Sequence, residues 1–426
     1  MELQLAYGSS GLRVTVPEGT EVIEPQFEPG PEDQLGVVRA ALQNPIGSPR
    51  LSEMVGADST VGIVFSDITR ATPYHILLPA LFEELAGLPS DNITLYNATG
   101  THRTNTDDEL ERILGPNILG KYRIVQNDCT DEDGHCYVGT TPSGNEIELL
   151  SEFLENDVKV ITGFIEPHFF AGFSGGGKAV MPGLASLGTV QRNHNAANID
   201  HAEARWGVID GNPLWEEVRD AAGFVQPLFL LNVALNRNQE VTAAFAGHYV
   251  TAHAEGCAYV KRHAMAAVDA PYDIVITSNS GYPLDLNMYQ AVKGMSAAYQ
   301  IVRPGGHIIV AADCWDGIPK HGKYGQLLFE AQTLDELLER IRTPGCFIQD
   351  QWQAQIHALI CKAVTVHFYS ENLDDEEIIN AFMQPSKDIA ATVQRLIREI
   401  GPGARVCALP EGPQTIPYVR QSQGQS

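Results

Sequence analysis

Residues 158–178 read Val158-Lys-Val-Ile-Thr-Gly-Phe164-Ile-Glu166-Pro-His168-Phe-Phe-Ala-Gly-Phe-Ser-Gly175-Gly-Gly-Lys178. The opening residues form a short apolar run of the kind that makes a buried strand, and its end delivers Glu166, Pro167 and His168 into a loop. Three consecutive glycines lose too much backbone freedom to lie inside a regular helix or strand. Gly175, Gly176 and Gly177 are therefore read as a loop that brings backbone N–H groups close to an anion, with the charge of Lys178 beside them. A buried strand that ends in a polar loop is the repeating unit of an α/β sheet, where residues at the carboxyl ends of strands face the ligand.

The same unit recurs on the N-terminal side. Residues 61–65 are an apolar strand ending in Ser66-Asp67-Ile-Thr69-Arg70, before a helix of about four turns opened by Pro73. Residues 93–98 form another strand, ending in Thr99-Gly-Thr-His102-Arg103, and Thr106 with Glu109 makes a capping box for the next helix. Three strand ends thus carry Arg70, His102 and His168, which argues for one active site. Asp67 and Thr69 are candidates there too, with capping of the Pro73 helix as the alternative role. A cation such as Arg70 in a helix's first turn opposes the dipole, so a functional role suits it better.

Around these strands, residues 2–7 and 11–16 are expected to form a hairpin, followed by a Pro-rich stretch at 25–31 and a helix near 32–43. Short strands around an acidic turn are expected between 121 and 150. A helix over 187–198 places His194 near its end, where a cation or a metal ligand suits the dipole. Helices at 213–223 and 248–268 flank two strands near 227–246. A fresh βα sequence starts after Ala270-Pro271: a strand at 273–277, a turn, and a helix from about 286 to 302 that carries Tyr289, Gln290 and Lys293. Gln290 and Lys293 share a helical face. Strands are expected near 307–312, 364–368 and 405–409, helices near 326–342, 352–361, 374–382 and 386–399, and a disordered tail over 418–426. The fold class is α/β in two lobes, an N-terminal domain of residues 1–270 and a C-terminal αβα domain of residues 271–426. The active site is expected in the cleft between them, with hinge closure near 270.

The 426 residues carry a formal net charge of −25, which argues against a nucleic-acid partner and means that an anionic substrate needs a local island of Arg and Lys. Seven cysteines without a tight framework suit a reducing compartment. No apolar run reaches membrane-spanning length and Met1 does not open a signal-like segment, so a cytoplasmic protein without a membrane partner is expected. Gly172 to Lys178 fits the P-loop spacing, but Ala179 offers no hydroxyl for magnesium and Pro182-Gly183 would stop the following helix. An NAD-linked oxidoreductase would need a Gly-x-Gly-x-x-Gly turn that is absent near the start, and a zinc hydrolase would need three clustered ligands where only His194 has a clear claim. A non-catalytic two-lobed protein binding carboxylate or phosphate is the alternative outside enzymology.

Taken together, Asp67-Ile-Thr-Arg70-Ala-Thr-Pro73, Gly100-Thr-His102-Arg103, His168-Phe-Phe-Ala-Gly-Phe-Ser-Gly-Gly-Gly-Lys178, Asn193-His194 and Tyr289-Gln290-Ala-Val-Lys293-Gly294 resemble the nickel-dependent lactate racemase family over most of the chain. The resemblance implies racemisation or epimerisation of a 2-hydroxy acid by reversible hydride transfer to a nickel-pincer nucleotide. It implies that Lys178 carries that cofactor and that His194 is the protein's nickel ligand. His102 and His168 would be paired acid and base, and Arg70, Tyr289, Gln290 and Lys293 substrate contacts. Asp67, Thr69 and Gly175 to Gly177 would help hold the cofactor, its phosphate resting on either the glycine loop or the turn after Asp67. Partners implied are a small 2-hydroxycarboxylate and, transiently, the proteins that build the cofactor. Removing hydride avoids the carbanion that proton abstraction beside a carboxylate would require, and two imidazoles of near-neutral pKa suit a reversible proton exchange.

Overall fold

The computed structural model describes residues 1–25, 28–236, 238–319 and 322–420. The chain divides into two compact units, one of Phe27–His194 with His201–His263, the other of Met1–Gln26, Asn195–Asp200 and Ala264–Ser426. The first is the motif-bearing unit and the second the C-terminal unit.

The motif-bearing unit is built on a six-stranded sheet in the order Val241–His248, Leu228–Leu235, Val158–Phe164, Val61–Ser66, Ile93–Ala98, Arg123–Gln126. All neighbours run parallel except the antiparallel edge strand Val241–His248. Parallel strands are covered on both faces, which is why their sequences are almost continuously apolar. Ile63, Phe65, Leu95, Val160 and Phe229 bury one face, and Val64, Ile161, Leu230 and Phe153 the other. From Val61–Ser66 the chain adds strands to one side and later returns to the other with Val158–Phe164. The turns after these two strands therefore flank the point where strand order reverses, the place where open α/β sheets bind ligands.

The C-terminal unit carries an all-parallel sheet in the order Gln384–Pro385, Thr365–Tyr369, Val302–Ala311, Tyr272–Ser278, Val406–Leu409, Glu21–Val22. Helices Met288–Tyr299 and Gln351–Ala363 cover the face made by Val275, Ile308, Val310 and Phe368. Ile274, Ile276 and Ile309 on the other face pack with Leu5, Tyr7, Val14 and Val16 of the hairpin Glu2–Leu5 and Leu12–Thr15, and with helix Ile389–Ile400.

Elements differ from expectation where polar side chains or strand partners intervene. The expected helix 187–198 is Leu187–Asn193, stops at His194 and restarts as Ala196–Ile199, because Asn195 caps the second turn by accepting from Asn198 N–H at 2.9 Å. Helix Thr251–Ala264 ends short of 268, and Met265–Val268 instead pairs as a strand with Ile416–Val419. That pairing takes in the start of the expected tail 418–426, of which 421–426 lie outside the described residues. The expected helix 326–342 is two helices, Tyr324–Glu330 and Leu334–Arg342, the second capped by Thr333. The helix after Pro73 is Tyr74–Glu84, three turns rather than four. Part of the Pro-rich stretch 25–31 also lies outside the described residues.

The chain's division differs from a single break at 270. The late break falls at 264, and residues 1–26 belong with the C-terminal unit because Glu21–Val22 pairs with Val406–Leu409 and the hairpin buries that sheet's open face. Among the described residues no helix is long and apolar enough to cross a membrane.

Candidate active site

Asp67 follows the strand Val61–Ser66 and is buried, with 4 % of its surface exposed. Its Oδ1 accepts from Thr69 N–H (3.3 Å) and Thr69 Oγ1 (2.7 Å), and its Oδ2 lies 2.6 Å from His102 Nδ1. Burial pushes the Asp67 carboxyl up. His102, Arg70 and the Thr69 hydroxyl outweigh it and hold the carboxyl below the usual aspartate range. An ionised carboxylate at Nδ1 fixes the neutral His102 ring with its proton on Nδ1, leaving Nε2 as the basic nitrogen. The two residues come from neighbouring parallel strands, so the sheet itself sets their approach.

Arg70, in the same turn as Asp67, reaches Glu166 after the strand Val158–Phe164, with Nη1 3.7 Å from Oε1. Both side chains are about a third exposed, so this pair holds position more than it adds stability. Two residues beyond Glu166, His168 Nδ1 accepts from Ala171 N–H at 3.2 Å. That contact puts the ring proton on Nε2 when the imidazole is neutral, the opposite tautomer from His102.

Phe170 joins three candidates to one another. The His168 ring meets it edge to face at 4.5 Å, the His194 ring at 5.2 Å, and Lys178 Nζ lies 5.9 Å from its centroid. Phe169 stacks on His168 at 5.1 Å and reaches Trp206 at 6.0 Å, so the wall beside His168 is aromatic on two sides. His194, the C-cap of helix Leu187–Asn193, is 6 % exposed. Burial, then the nearby charge of Lys178, depresses its pKa to about 3, so the imidazole is neutral and able to donate a lone pair.

The glycine loop is a tight turn of 3-10 type over Gly176–Ala179, too short to be the helix of a P-loop. Gly175 and Gly176 adopt φ of +76° and +59°. Gly176 N–H donates to Asn232 Oδ1 at 2.7 Å, so this amide is engaged within the fold rather than turned to an anion. Ser174 Oγ donates to Phe164 O and accepts from Glu166 N–H, which ties the loop to the end of its own strand.

Tyr289, Gln290 and Lys293 lie on helix Met288–Tyr299 of the C-terminal unit, all partly buried. Asn287 caps this helix by accepting from Gln290 N–H (3.1 Å), and Trp352 Nε1 donates to the Tyr289 hydroxyl (3.2 Å). Among the described residues no group of three His, Cys, Asp or Glu side chains is arranged to hold a metal ion.

Three supports escaped the sequence reading. Asn232 interrupts the apolar strand Leu228–Leu235, a polar residue in a buried run, and that was a readable signal. Glu217, buried on helix Pro213–Gly223, accepts from Asn145 Nδ2 (2.9 Å) and Asn193 Nδ2 (2.7 Å) and so braces the residue before His194. His253 packs under the glycine loop from helix Thr251–Ala264. Neither of the last two sits in a motif.

Comparison with known proteins gives the family. Residues 7–207 match the lactate racemase N-terminal domain and residues 267–416 the lactate racemase C-terminal domain. The chain is 37% identical over 384 residues to a lactate racemase of Thermoanaerobacterium thermosaccharolyticum, covering 89% of each sequence. It is 37% identical over 378 residues to one of Lactiplantibacillus plantarum, covering 88% of this chain and 89% of that one. The structure of the lactate racemase apoprotein from Thermoanaerobacterium thermosaccharolyticum superposes with a TM-score of 0.92 at 33% identity, over 99% of this chain and all of that one. A Thermotoga maritima protein of 18% identity shares the fold, with a TM-score of 0.71 over 92% of this chain. With both domain models matched in order and more than a third of residues identical over most of its length, the chain belongs to the lactate racemase family and is an isomerase.

Proposed function

We propose that the protein interconverts the two stereoisomers of a small 2-hydroxycarboxylate such as lactate, with His102 and His168 as the paired proton carriers. The observation that carries the reading is the 2.6 Å contact between buried Asp67 and His102, which leaves Nε2 of that ring as a base. In this reading His102 Nε2 takes the hydroxyl proton of one isomer, and the Asp67 carboxylate stabilises the resulting imidazolium. His168, protonated on both ring nitrogens, returns its Nε2 proton for the other isomer and is left neutral with its proton on Nδ1. To act as base at Nε2 itself, it must move its ring proton to Nδ1 and give up the Ala171 contact.

Membership of the family implies a nickel-pincer nucleotide. The residues present fit such a group: His194 is a buried neutral donor, and Lys178 supplies an amine near the same aromatic ring. When bound, the group supplies reversible hydride acceptance at substrate carbon 2. We assign nickel ligation to His194 and attachment to Lys178, with Thr69, Gly175, Gly176 and Gly177 shaping the cofactor's seat and Asp67 serving His102. We assign Arg70, Gln290, Lys293 and Tyr289 as the cationic and polar contacts for the substrate carboxylate. Excluding water from the reacting carbon is the role we give Phe169 and Phe170.

The test is racemisation in both directions by the cofactor-loaded protein and by its His102→Ala and His168→Ala variants. Each variant is expected to lose activity on both isomers while keeping its nickel. Full two-way activity in either one would sink the paired model. Loss of nickel in His194→Ala and loss of a mass adduct in Lys178→Ala test the cofactor assignments separately.

A further inference from the structure

The loop that carries Lys178 is held from below by residues with no place in the reaction. His253 is 1 % exposed and lies on helix Thr251–Ala264. Its ring stacks on Trp215 at 4.5 Å with planes 19° apart. Its Nε2 is 2.9 Å from Ser174 O, and a carbonyl only accepts, so Nε2 carries the proton. Cys257, one helical turn on, places its Sγ against the ring, 3.4 Å from Nδ1 and 3.5 Å from Nε2. Burial pushes that thiol up, so it stays protonated and able to donate.

On the other side of the loop Gly176 N–H is held by Asn232 Oδ1. The glycine backbone also lies directly on the ring: a Cβ at Gly176 would stand 2.8 Å from both His253 Cδ2 and Trp215 Cη2. The loop is therefore clamped between the strand bearing Asn232 and the stacked His253–Trp215 pair.

We propose that His253 is a positioning residue whose Nε2–H, held on the Ser174 carbonyl, sets the backbone path of residues 174–177 and thereby the direction in which Lys178 is presented. Its consequence for the enzyme rests on the reading of Lys178 as the attachment residue. The Ser174 carbonyl needs a donor there, and a cationic His253 is disfavoured first by burial and then by the Lys178 charge. Buried neutral imidazole meets both conditions.

The experiment uses the full-length protein without cofactor. Lysines are dimethylated with formaldehyde and cyanoborohydride, and the rate at Lys178 is read by peptide mass spectrometry against exposed Lys121, together with amide hydrogen exchange over 174–178. His253→Phe keeps the stack on Trp215 and removes the donor. It should raise the Lys178 rate and the loop's exchange by about fivefold, the scale of one net hydrogen bond. His253→Gln, which restores an N–H at the Nε2 position, should stay within about twofold of the unsubstituted chain. A His253→Phe protein that melts cooperatively and matches the unsubstituted chain in both readouts overturns the proposal. If that variant does not fold, His253→Met, which also lacks the N–H, decides: about a fivefold rise in both readouts supports the clamp, and no change overturns it. Intact mass of the loaded, unsubstituted protein separates the two readings. If Lys178 carries no adduct, the attachment reading fails while the labelling contrast still judges the clamp.

Discussion

Asp67 has both oxygens occupied within its own unit, one by Thr69 and the other by His102. An amide in its place would turn an N–H toward His102 Nδ1 and force the ring proton to Nε2, removing the base without removing the ring. Asp67→Asn is therefore expected to lower kcat by about 100-fold, the usual weight of a general base, with a much smaller change in KM. Initial rates on both isomers of the substrate check this, with the melting temperature as control. Sequence placed Asp67, Arg70, His102 and His168 at strand ends because the apolar runs before them are unambiguous. It could not pair Asp67 with His102, 35 residues apart, since parallel register is set by packing across the whole sheet. Nor could it tell that Arg70 meets Glu166 or that Phe170 gathers His168, Lys178 and His194, because these are contacts between loops.

Elements whose ends are marked by local chemistry were legible to the residue. The strands Ile93–Ala98 and Val158–Phe164, the helix Pro213–Gly223 and the capping box at Thr106 all fall where the sequence puts them. Misread ends were decided by distant partners, as at Met265–Val268, or by a mid-run cap, as at Asn195. The turn before the glycine loop depends on Gly172, at φ +78°, where a Cβ would lie 2.1 Å from Val208 O. Gly172→Ala is expected to cost about 2–4 kcal/mol in denaturant unfolding, since both the backbone conformation and the space exclude a side chain. Helix Gln351–Ala363 supplies a different test. His357 Nε2 donates to Ala381 O (2.7 Å), its Nδ1 accepts from the Tyr324 hydroxyl (2.9 Å), and burial depresses its pKa to about 4 from the ordinary 6.5. The unfolded chain binds this proton more readily than the folded one. The stability that depends on a neutral His357 is thus fully present above pH 6.5 and is lost as pH falls toward 4. Unfolding free energy measured across that window should fall with acid, and His357→Gln should flatten the slope at the expense of stability at neutral pH.

At the scale of the molecule, the fresh βα start after 270 was legible, as strand Tyr272–Ser278 and helix Met288–Tyr299, whereas the return of the first residues to the last unit was not. Nothing in a hairpin's alternating pattern says which sheet it will cover. Leu5, Tyr7, Val14 and Val16 are all buried against the C-terminal sheet, each worth about 1.5–3 kcal/mol. Together they rival the whole stability of an ordinary domain, about 5–15 kcal/mol. A fragment of residues 264–426 is accordingly expected to stay unfolded or aggregate, and to fold when a peptide of residues 1–26 is added. Circular dichroism and size-exclusion chromatography of the fragment with and without the peptide check this. The same arrangement has a temporal side. The ribosome makes the hairpin before the motif-bearing unit and the sheet it covers after it, so that unit, whose segments end at His263, can close while the hairpin is still waiting. Residues 1–26 thus find their partners only after the whole motif-bearing unit has been made, and their apolar faces must stay out of aggregates throughout that interval.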